Sequence, residues 1–230
     1  MPNIFLDNVS VTYGELPVLD SITLSLQEHR IGIIGANGGG KSTLVRLING
    51  LSDPSSGTVI VDGLDVATHG KSVRRKVGFV FSDAENQIIM PTVKDDIAFS
   101  LRRLALDKET RRKRIAAVLA RFGLESHAEH SPHLLSSGQK QLLALASVLV
   151  IEPEILIMDE PTTLLDLRNR AHIKNIIEGL DQQVIAVTHD LDLLSNFDRV
   201  LCVHDRKILF DGPPESVISQ YVSLMENNPL

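Results

Sequence analysis

A glycine-rich stretch limits what this chain can fold into more than any other feature of its sequence. The stretch is Gly35-Ala36-Asn37-Gly38-Gly39-Gly40-Lys41-Ser42, which has the G-x-x-x-x-G-K-[ST] spacing of a phosphate-binding loop. An apolar run at 31–34 precedes it, and residues 42–48 have helical spacing. A strand, this loop and a helix form the context in which the motif binds polyphosphates. We therefore predict an α/β fold organised around the loop.

Each residue type in the loop has a physical reason to be there. The glycines let the backbone curl until successive N–H groups point inward, and the helix N-terminus adds partial positive charge. The pattern predicts that Lys41 reaches the β- and γ-phosphates of a nucleotide and that the Ser42 hydroxyl binds Mg²⁺. Residues 35–42 and the following Thr43 make up the predicted nucleotide-binding set. The alternative is a glycine-rich turn without a ligand.

Composition narrows the class of protein. A chain of 230 residues, 43% of them apolar, can bury the core of one sizeable α/β domain. The single cysteine, Cys202, excludes a disulfide framework and fits a reducing compartment. We expect no signal peptide, and the longest uncharged apolar run, 141–151, is too short to span a bilayer. The net charge of −6 disfavours binding to nucleic acid.

Hydrophobic periodicity predicts the order of the elements. Strands are expected at 3–12, 18–26, 31–34, 58–61, 77–81, 155–158, 184–187, 199–204 and 207–210, and helices at 42–48, 92–104, 107–122, 139–151, 167–179 and 191–195. Strands that alternate with helices indicate a largely parallel sheet covered on both faces. We predict a single domain, 1–230, in which residues 82–140 form a helical subdomain inserted into a core made of 1–81 and 141–230.

Two adjacent carboxylates complete the predicted chemistry. Asp159 and Glu160 follow the apolar run 155–158, at the C-terminal end of a strand, where open α/β sheets bind ligands. One carboxylate is placed to hold the water shell of Mg²⁺ opposite Ser42, and the next to polarise an attacking water. Phosphoryl transfer needs both roles, because its catalysis is mostly positioning and electrostatics. Alone, the pair could be a solvated strand end, but with the glycine loop it indicates nucleotide hydrolysis.

With these residues the chain resembles the nucleotide-binding subunits of ABC transporters, and the resemblance covers nearly its whole length. Leu135-Ser136-Ser137-Gly138-Gln139 resembles the family signature LSGGQ, with Ser137 in place of the first glycine. Asp166 resembles the D-loop aspartate, His189 the switch histidine, and Tyr13 the aromatic residue that stacks on adenine. The resemblance implies a P-loop NTPase core with a mixed, largely parallel sheet, an N-terminal antiparallel β part and an inserted helical subdomain.

The resemblance also implies a mechanism. Two copies of the chain would bind two ATP molecules head to tail, each between the glycine loop of one copy and Ser136 to Gln139 of the other. Glu160 would act as general base or orient the attacking water, and His189 would hold the γ-phosphate. Ser42 and Asp159 would bind Mg²⁺. One chain carries every motif, which favours a homodimer.

Position 82 departs from the family pattern. The Q-loop glutamine of the family usually follows the strand that ends here at Phe81, but this chain has Ser82. Serine is shorter and has no amide oxygen, so its contact with Mg²⁺ would run through water. Gln87, five residues on, is a candidate for the contacts of that glutamine with a membrane partner.

The resemblance extends to one group of transporters. Residues 83–91 are similar to the same region of energy-coupling-factor ATPases, which power vitamin and transition-metal uptake, and residues 159–169 look most like the biotin-uptake ATPase. Cobalt or nickel uptake is the alternative. This implies a peripheral position at the cytoplasmic face of the cell membrane. The implied partners are a transmembrane coupling protein and a substrate-binding membrane protein, with no nucleic acid.

Two other classes of ATPase compete with a transporter. An ABC ATPase that acts on DNA or ribosomes would need a long coiled-coil insertion or a second ATPase domain, and the sequence shows neither. A module that binds ATP without hydrolysing it is disfavoured by Asp159, Glu160 and His189, although Ser82 favours it. A GTPase would need an Asn-Lys-x-Asp motif, which the sequence lacks.

A basic cluster at 102–121 interrupts an otherwise acidic chain. It holds eight basic and two acidic residues, whereas the remaining residues carry a net charge of −12. One interpretation is a solvated helix face. The other is a surface that meets the membrane partner or anionic headgroups.

Overall fold

The apolar run before the glycine loop forms a strand in the middle of a six-stranded sheet, in a computed structural model that describes residues 1–163 and 165–227. The strands are β1 (Ile4–Tyr13), β2 (Leu16–Leu26), β3 (Arg30–Ile34), β4 (Ser56–Val61), β5 (Leu64–Asp65), β6 (Val77–Val80), β7 (Ile155–Asp159), β8 (Gln183–Val187), β9 (Arg199–His204) and β10 (Lys207–Gly212). The helices are α1 (Lys41–Asn49), α2 (Val66–Lys76), α3 (Val93–Ser100), α4 (Lys108–Arg121), α5 (Ser137–Leu149), α6 (Leu167–Glu178) and α7 (Pro214–Asn227).

The six-stranded sheet has the order β10-β9-β3-β8-β7-β6, and only its edge strand β10 is antiparallel to its neighbour. Both faces are covered, which explains why its strands are apolar without interruption. Along β7, Ile155 and Ile157 face one core, while Leu156 and Met158 face the other. The predicted mixed, largely parallel sheet is confirmed.

A second sheet covers one face of the first. Its order is β2-β1-β4-β5 and all its pairs are antiparallel. Apolar residues of β1, β2 and β4 are buried in one core with helix α1 and with Ile155 and Ile157 of the other sheet. Buried and exposed side chains alternate along β1 and β2, as the period of a strand requires, except where the register of the pair shifts, as between Leu6 and Val9. The predicted N-terminal antiparallel part is therefore confirmed.

Helices α3 to α7 cover the opposite face. Buried residues of the inserted helices, such as Ile97 on α3 and Leu119 on α4, share one continuous core with Leu156 and Met158 of the sheet. Cys202 lies fully buried in the same core, and burial raises the pKa of its thiol to about 11, so the thiol stays protonated. The division into a core and an inserted subdomain stays a prediction.

Several elements differ from the sequence prediction. Helices α2 and α7 were not predicted: α2 is interrupted by non-helical backbone at His69, next to Gly70, and α7 buries a single side chain, Val217. The predicted helix 92–104 ends at Ser100 and continues as a 3₁₀ turn, Leu101–Arg103. The segment predicted as a helix at 191–195 is a 3₁₀ helix. Within the described residues, no helix is long and apolar enough to cross a membrane.

Candidate active site

Three neighbouring strand ends assemble the site. Strand β8 lies between β3 and β7, and all three are parallel, so their C-terminal ends meet at one edge of the sheet. The glycine loop follows β3, Asp159 ends β7 with Glu160 next, and His189 comes two residues after β8. Sheet order therefore brings together groups that lie far apart in sequence, at the edge where such sheets bind ligands.

The loop needs glycine for reasons of space as well as of backbone conformation. A methyl group added at Gly35, where φ is 143°, would lie 2.1 Å from the carbonyl oxygen of Val203. One added at Gly40, where φ is 97°, would lie 2.8 Å from the carbonyl oxygen of Val18. Gly40 is also the N-cap of α1 and supplies no side-chain cap. The first N–H groups of the helix are therefore open to an anion.

Lys41 is folded back onto its own loop. Its Nζ donates hydrogen bonds to the carbonyl oxygens of Gly35 at 2.8 Å and Ala36 at 2.9 Å, and the residue is only 6% exposed. Burial lowers the pKa of the Lys41 ammonium, while the carboxylates of Glu160 and Asp159 act in the opposite direction. The lysine thus places its amino group at the centre of the loop.

A hydrogen bond joins the side-chain oxygens of Ser42 and Asp159. The Ser42 hydroxyl donates to Oδ1 of Asp159 at 2.9 Å, and Asp159 is 2% exposed. Nη2 of Arg46 lies 3.8 Å from Oδ2 of the same carboxylate. No group of three or more His, Cys, Asp or Glu among the described residues could hold a metal ion. A hydroxyl and one carboxylate beside a phosphate site fit Mg²⁺, because that ion is usually held by few side chains, water and substrate phosphates.

Glu160, His189 and Lys41 converge beside that pair. Nε2 of His189 lies 3.3 Å from Oε1 of Glu160 and 3.4 Å from Nζ of Lys41. Two donors orient the other carboxylate oxygen of Glu160: the backbone N–H of His189 and the Thr163 hydroxyl, each at 3.3 Å. The backbone of Glu160 has φ 56°, a left-handed value that is costly for a residue with a side chain. Such strain is typical of functional sites, where the surrounding structure over-determines it.

The signature residues form the N-terminus of helix α5. Ser136 is the N-cap: its hydroxyl accepts from the N–H of Gln139 at 3.3 Å, and its own N–H donates to Oε1 of Gln139 at 2.9 Å. This reciprocal capping box satisfies the N–H groups at both ends of the turn. The capping box leaves the N–H groups of Ser137 and Gly138 without an acceptor inside the helix, and such groups at a helix N-terminus suit an anion.

Helix α6 packs against this turn. A methyl group added at Gly138 would lie 2.6 Å from the side-chain amide of Asn169, so a larger residue there would displace that side chain. Asp166 is the N-cap of α6 and accepts from the N–H of Asn169 at 2.8 Å. The predicted D-loop segment 163–166 includes Leu164, which lies outside the described residues. The structure thus places Asp166 next to the signature turn.

The glycine loop and the signature turn are not joined within one chain. Across residues 1–163 and 165–227, no hydrogen bond links 35–43 to 136–139.

Tyr13 lies at the end of β1 and is 52% exposed, with its hydroxyl 3.5 Å from that of Ser52. Its ring is therefore accessible to a planar ligand.

The side chain of Gln87 is hydrogen-bonded to the C-terminal end of strand β6. Its Oε1 accepts from the N–H of Phe81 at 3.1 Å, and its Nε2 donates to the carbonyl oxygen of Phe79 at 3.3 Å. Ser82 is exposed just beyond the end of β6. The amide of Gln87 therefore closes the end of β6, and its role toward a partner stays a prediction.

Sequence reasoning missed several residues that support the site, among them Thr163, whose hydroxyl orients Glu160. Arg46 pairs with Asp159, and its position four residues after Ser42, on the same face of α1, was a usable signal. Asn169 limits the space at Gly138, but nothing local in the sequence indicates a contact between two helices that far apart.

The comparisons with known proteins agree with this geometry. A family model described as ABC transporter matches residues 19–163. The biotin transport ATP-binding protein BioM of Rhizobium etli is 48% identical over 219 residues, which cover 95% of this chain and 97% of that protein.

Two solved structures share the fold. The structure of cbiO1 from Clostridium perfringens, part of the ABC transporter complex cbiONQ, has a TM-score of 0.84 at 31% identity and covers 97% of this chain and 94% of that one. The ATP-binding cassette MJ0796, solved as a dimer in a post-hydrolysis state with ADP and Pi, has a TM-score of 0.81 at 30% identity, covering 92% and 98%. The chain therefore belongs to the ABC transporter ATPases, a family of subunits that bind and hydrolyse ATP.

Proposed function

We propose that this chain is the ATPase subunit of an energy-coupling-factor importer and works as a head-to-tail homodimer. The observation that carries the proposal is the convergence of Lys41, Glu160 and His189 at one edge of the sheet, beside the Ser42–Asp159 pair. These groups supply a cation for the phosphates, a carboxylate for the water and an imidazole for the γ-phosphate. That is the set of roles that phosphoryl transfer requires.

The chemical step follows from the positions of these side chains. Lys41 turns its Nζ from the carbonyl oxygens of Gly35 and Ala36 to the β- and γ-phosphates. The Thr163 hydroxyl and the backbone N–H of His189 orient the Glu160 carboxylate. Glu160 accepts a hydrogen bond from the attacking water and aligns that water with the γ-phosphorus. The His189 imidazole donates to a γ-phosphate oxygen, where negative charge accumulates.

Magnesium belongs to this proposal as a cofactor. Ser42 Oγ and Asp159 Oδ1 would hold it, and bound Mg²⁺ would neutralise charge on the β- and γ-phosphates. Arg46 orients the Asp159 carboxylate from the other side. Ser82 lies near this edge and takes the place of the family glutamine, with a shorter reach.

The other half of each ATP site comes from a second copy. The N–H groups of Ser137 and Gly138 are the anion donors that the capping box leaves open, and no hydrogen bond among the described residues brings them to the loop of their own chain. In a head-to-tail dimer they face the γ-phosphate on the partner copy, with Asp166 beside them. MJ0796, a relative solved as a dimer with ADP and Pi, supports a dimer as the working form.

The likeness to BioM supports biotin as the transported substrate, and the likeness to cbiO1 supports an assembly with membrane subunits. Cobalt or nickel uptake is the alternative. In either case the chain lies at the cytoplasmic face of the membrane, bound to a transmembrane coupling protein and a substrate-binding membrane protein. The ATPase itself contacts no transported substrate, so its partners decide between the two.

The test is Glu160→Gln, with Glu154→Gln as a matched control just before the start of the same strand. We expect E160Q to bind ATP, to lose turnover by about 100-fold or more and to accumulate as an ATP-bound dimer. The E154Q variant should hydrolyse ATP at the normal rate, because Glu154 pairs with Lys76 away from the site. Full hydrolysis by E160Q would refute the role of Glu160.

The alternative hypothesis, a module that binds ATP without hydrolysing it, predicts a different result for the unmodified chain. A module that only binds ATP would show no hydrolysis by the unmodified chain, either alone or with co-purified membrane proteins. Measuring turnover in both settings, and identifying the proteins that co-purify, separates a transporter subunit from that module and from an ATPase of DNA or ribosomes.

A further inference from the structure

The signature turn has a partner that lies outside its motif. His127 ends the 3₁₀ turn Glu125–His127 and is half-buried beside the start of α5. Its Nε2 is 3.0 Å from Nε2 of Gln139, and its Nδ1 is 3.3 Å from Nδ1 of His130. Neither histidine contributes to the chemistry described above.

One backbone group decides the direction of every hydrogen bond in this chain of contacts. The N–H of Ser136 can only donate, so the side-chain atom of Gln139 that faces it at 2.9 Å must be the oxygen. The amide nitrogen of Gln139, which has only protons to offer, then faces His127. Nε2 of His127 must therefore accept. In the neutral imidazole the proton sits on Nδ1, and it is donated to Nδ1 of the exposed His130.

We propose that His127 is a positioning residue for the ATP site that the dimer completes. By accepting from the Gln139 amide, it holds the Gln139 oxygen on the N–H of Ser136. It thereby keeps the capping box closed, with only the N–H groups of Ser137 and Gly138 open toward the γ-phosphate of the partner copy. This inference rests on the proposed dimer and adds to it a residue 12 positions from Gln139.

The physical reason is the freedom of the glutamine side chain. Without an acceptor at His127, the amide of Gln139 rotates, and a reversed amide would turn its own N–H groups toward the Ser136 N–H. Two donors cannot bond, so the cap at the N-terminus of α5 would open part of the time. Turns that open and close cost binding free energy when a ligand needs them ordered. His127 touches no reacting atom, so its effect falls on dimer formation rather than on the chemical step.

The first test does not depend on the proposed function. Long-range ¹H–¹⁵N spectra of the histidine rings, assigned with H127A and H130A variants, report which ring nitrogen carries the proton. For neutral His127 in the full chain without nucleotide, we expect a protonated Nδ1 and an unprotonated Nε2. A proton on Nε2 would overturn the proposal, because that nitrogen could no longer accept from Gln139.

The second test measures ATP-driven dimerisation in the Glu160→Gln background. We expect H127A to raise the ATP concentration for half-maximal dimer by about five- to tenfold, the loss expected for one hydrogen bond. H127Q, whose side-chain oxygen can accept from Gln139, should lower that ATP concentration most of the way back to the value of the parent. H130A should stay within about twofold of the parent, because water replaces His130 as the acceptor at this exposed position.

The outcomes distinguish a failure of the proposed ATP-driven dimer from a failure of the positioning role of His127. If the E160Q parent itself does not dimerise with ATP, the proposed function fails. If the parent dimerises and H127A does so at the same ATP concentration, only the positioning role of His127 is refuted. If H127A is impaired but H127Q is no better, the acceptor role is wrong. ATP binding to the monomeric form of H127A, through the intact glycine loop, should match the parent and shows that the variant is folded.

Discussion

The Ser42 hydroxyl donates a 2.9 Å hydrogen bond to Oδ1 of Asp159, although 117 positions separate the two residues. One group begins the helix after the glycine loop, and the other ends strand β7. Their contact joins the phosphate-binding part of the site to the carboxylate part, and both oxygens suit the same magnesium ion.

Removing the Ser42 hydroxyl should uncouple ATP binding from magnesium. For Ser42→Ala we expect ATPase activity to fall by about 100-fold, because the ion loses a ligand and Asp159 loses its donor. Ser42→Thr keeps a hydroxyl at the same position and is the control, with most activity retained. The measurement is turnover against Mg²⁺ concentration. Equal Mg²⁺ dependence in S42A and the unmodified chain would contradict the assignment.

Gly35 should be far less replaceable than Gly38, although both have positive φ. A methyl group at Gly35 would lie 2.1 Å from the Val203 carbonyl oxygen, whereas one at Gly38 would meet nothing within 4 Å. We expect Gly35→Ala to lower the free energy of unfolding by more than about 3 kcal/mol, and Gly38→Ala by about 1–2 kcal/mol from backbone strain alone. Urea unfolding of both variants checks this. Equal losses would show that the loop moves away from β9 at little cost.

Gln87 is predicted here to stabilise the end of β6. Its amide pairs with the N–H of Phe81 and the carbonyl oxygen of Phe79, so Gln87→Ala should lower the free energy of unfolding by about 1–3 kcal/mol. Asn86→Ala is the control, since Asn86 bonds only to the exposed Asp83 and should cost less than about 0.5 kcal/mol. Unchanged stability of Q87A together with lost binding of membrane subunits would instead make Gln87 a partner contact.

Part of the basic cluster borders a groove. Arg111 and Arg112 line this groove of about 260 Å³, whose exposed atoms are mostly apolar, together with Lys94, Lys108, Ile115, Ala116 and Leu119. Arg114, by contrast, pairs with Glu152 at 2.6 Å and has a structural role.

Reversing the two groove arginines should therefore weaken assembly with the membrane subunits. We expect the double variant Arg111→Glu and Arg112→Glu to lose most co-purifying membrane protein while it keeps its basal ATPase activity. The control is Arg103→Glu with Lys113→Glu, which reverses two charges of the same cluster outside the groove. If both double variants assemble normally, the cluster is a solvated helix face.

The local parts of the site could be predicted from the sequence. The glycine loop, the two carboxylates at a strand end and the signature motif before a helix are each encoded within a few residues. Their chemistry depends on short-range geometry: a curled backbone, a strand that ends, or a helix N-terminus. Helices and strands with long apolar runs or strong periodicity were predicted correctly, because that pattern is also local. Helices α2 and α7 were missed because the backbone of α2 is non-helical at His69 and α7 buries a single side chain, Val217.

Local sequence thus specifies the functional groups and the element that carries each of them. Which of these groups meet depends on the tertiary fold, because the order of strands in a sheet follows from the packing of both cores and not from any local pattern. That order placed β8 between β3 and β7, and so brought Lys41, Glu160 and His189 together. Packing of the signature turn against neighbouring segments likewise set its contacts with Asn169 and His127, which no spacing in the chain could indicate.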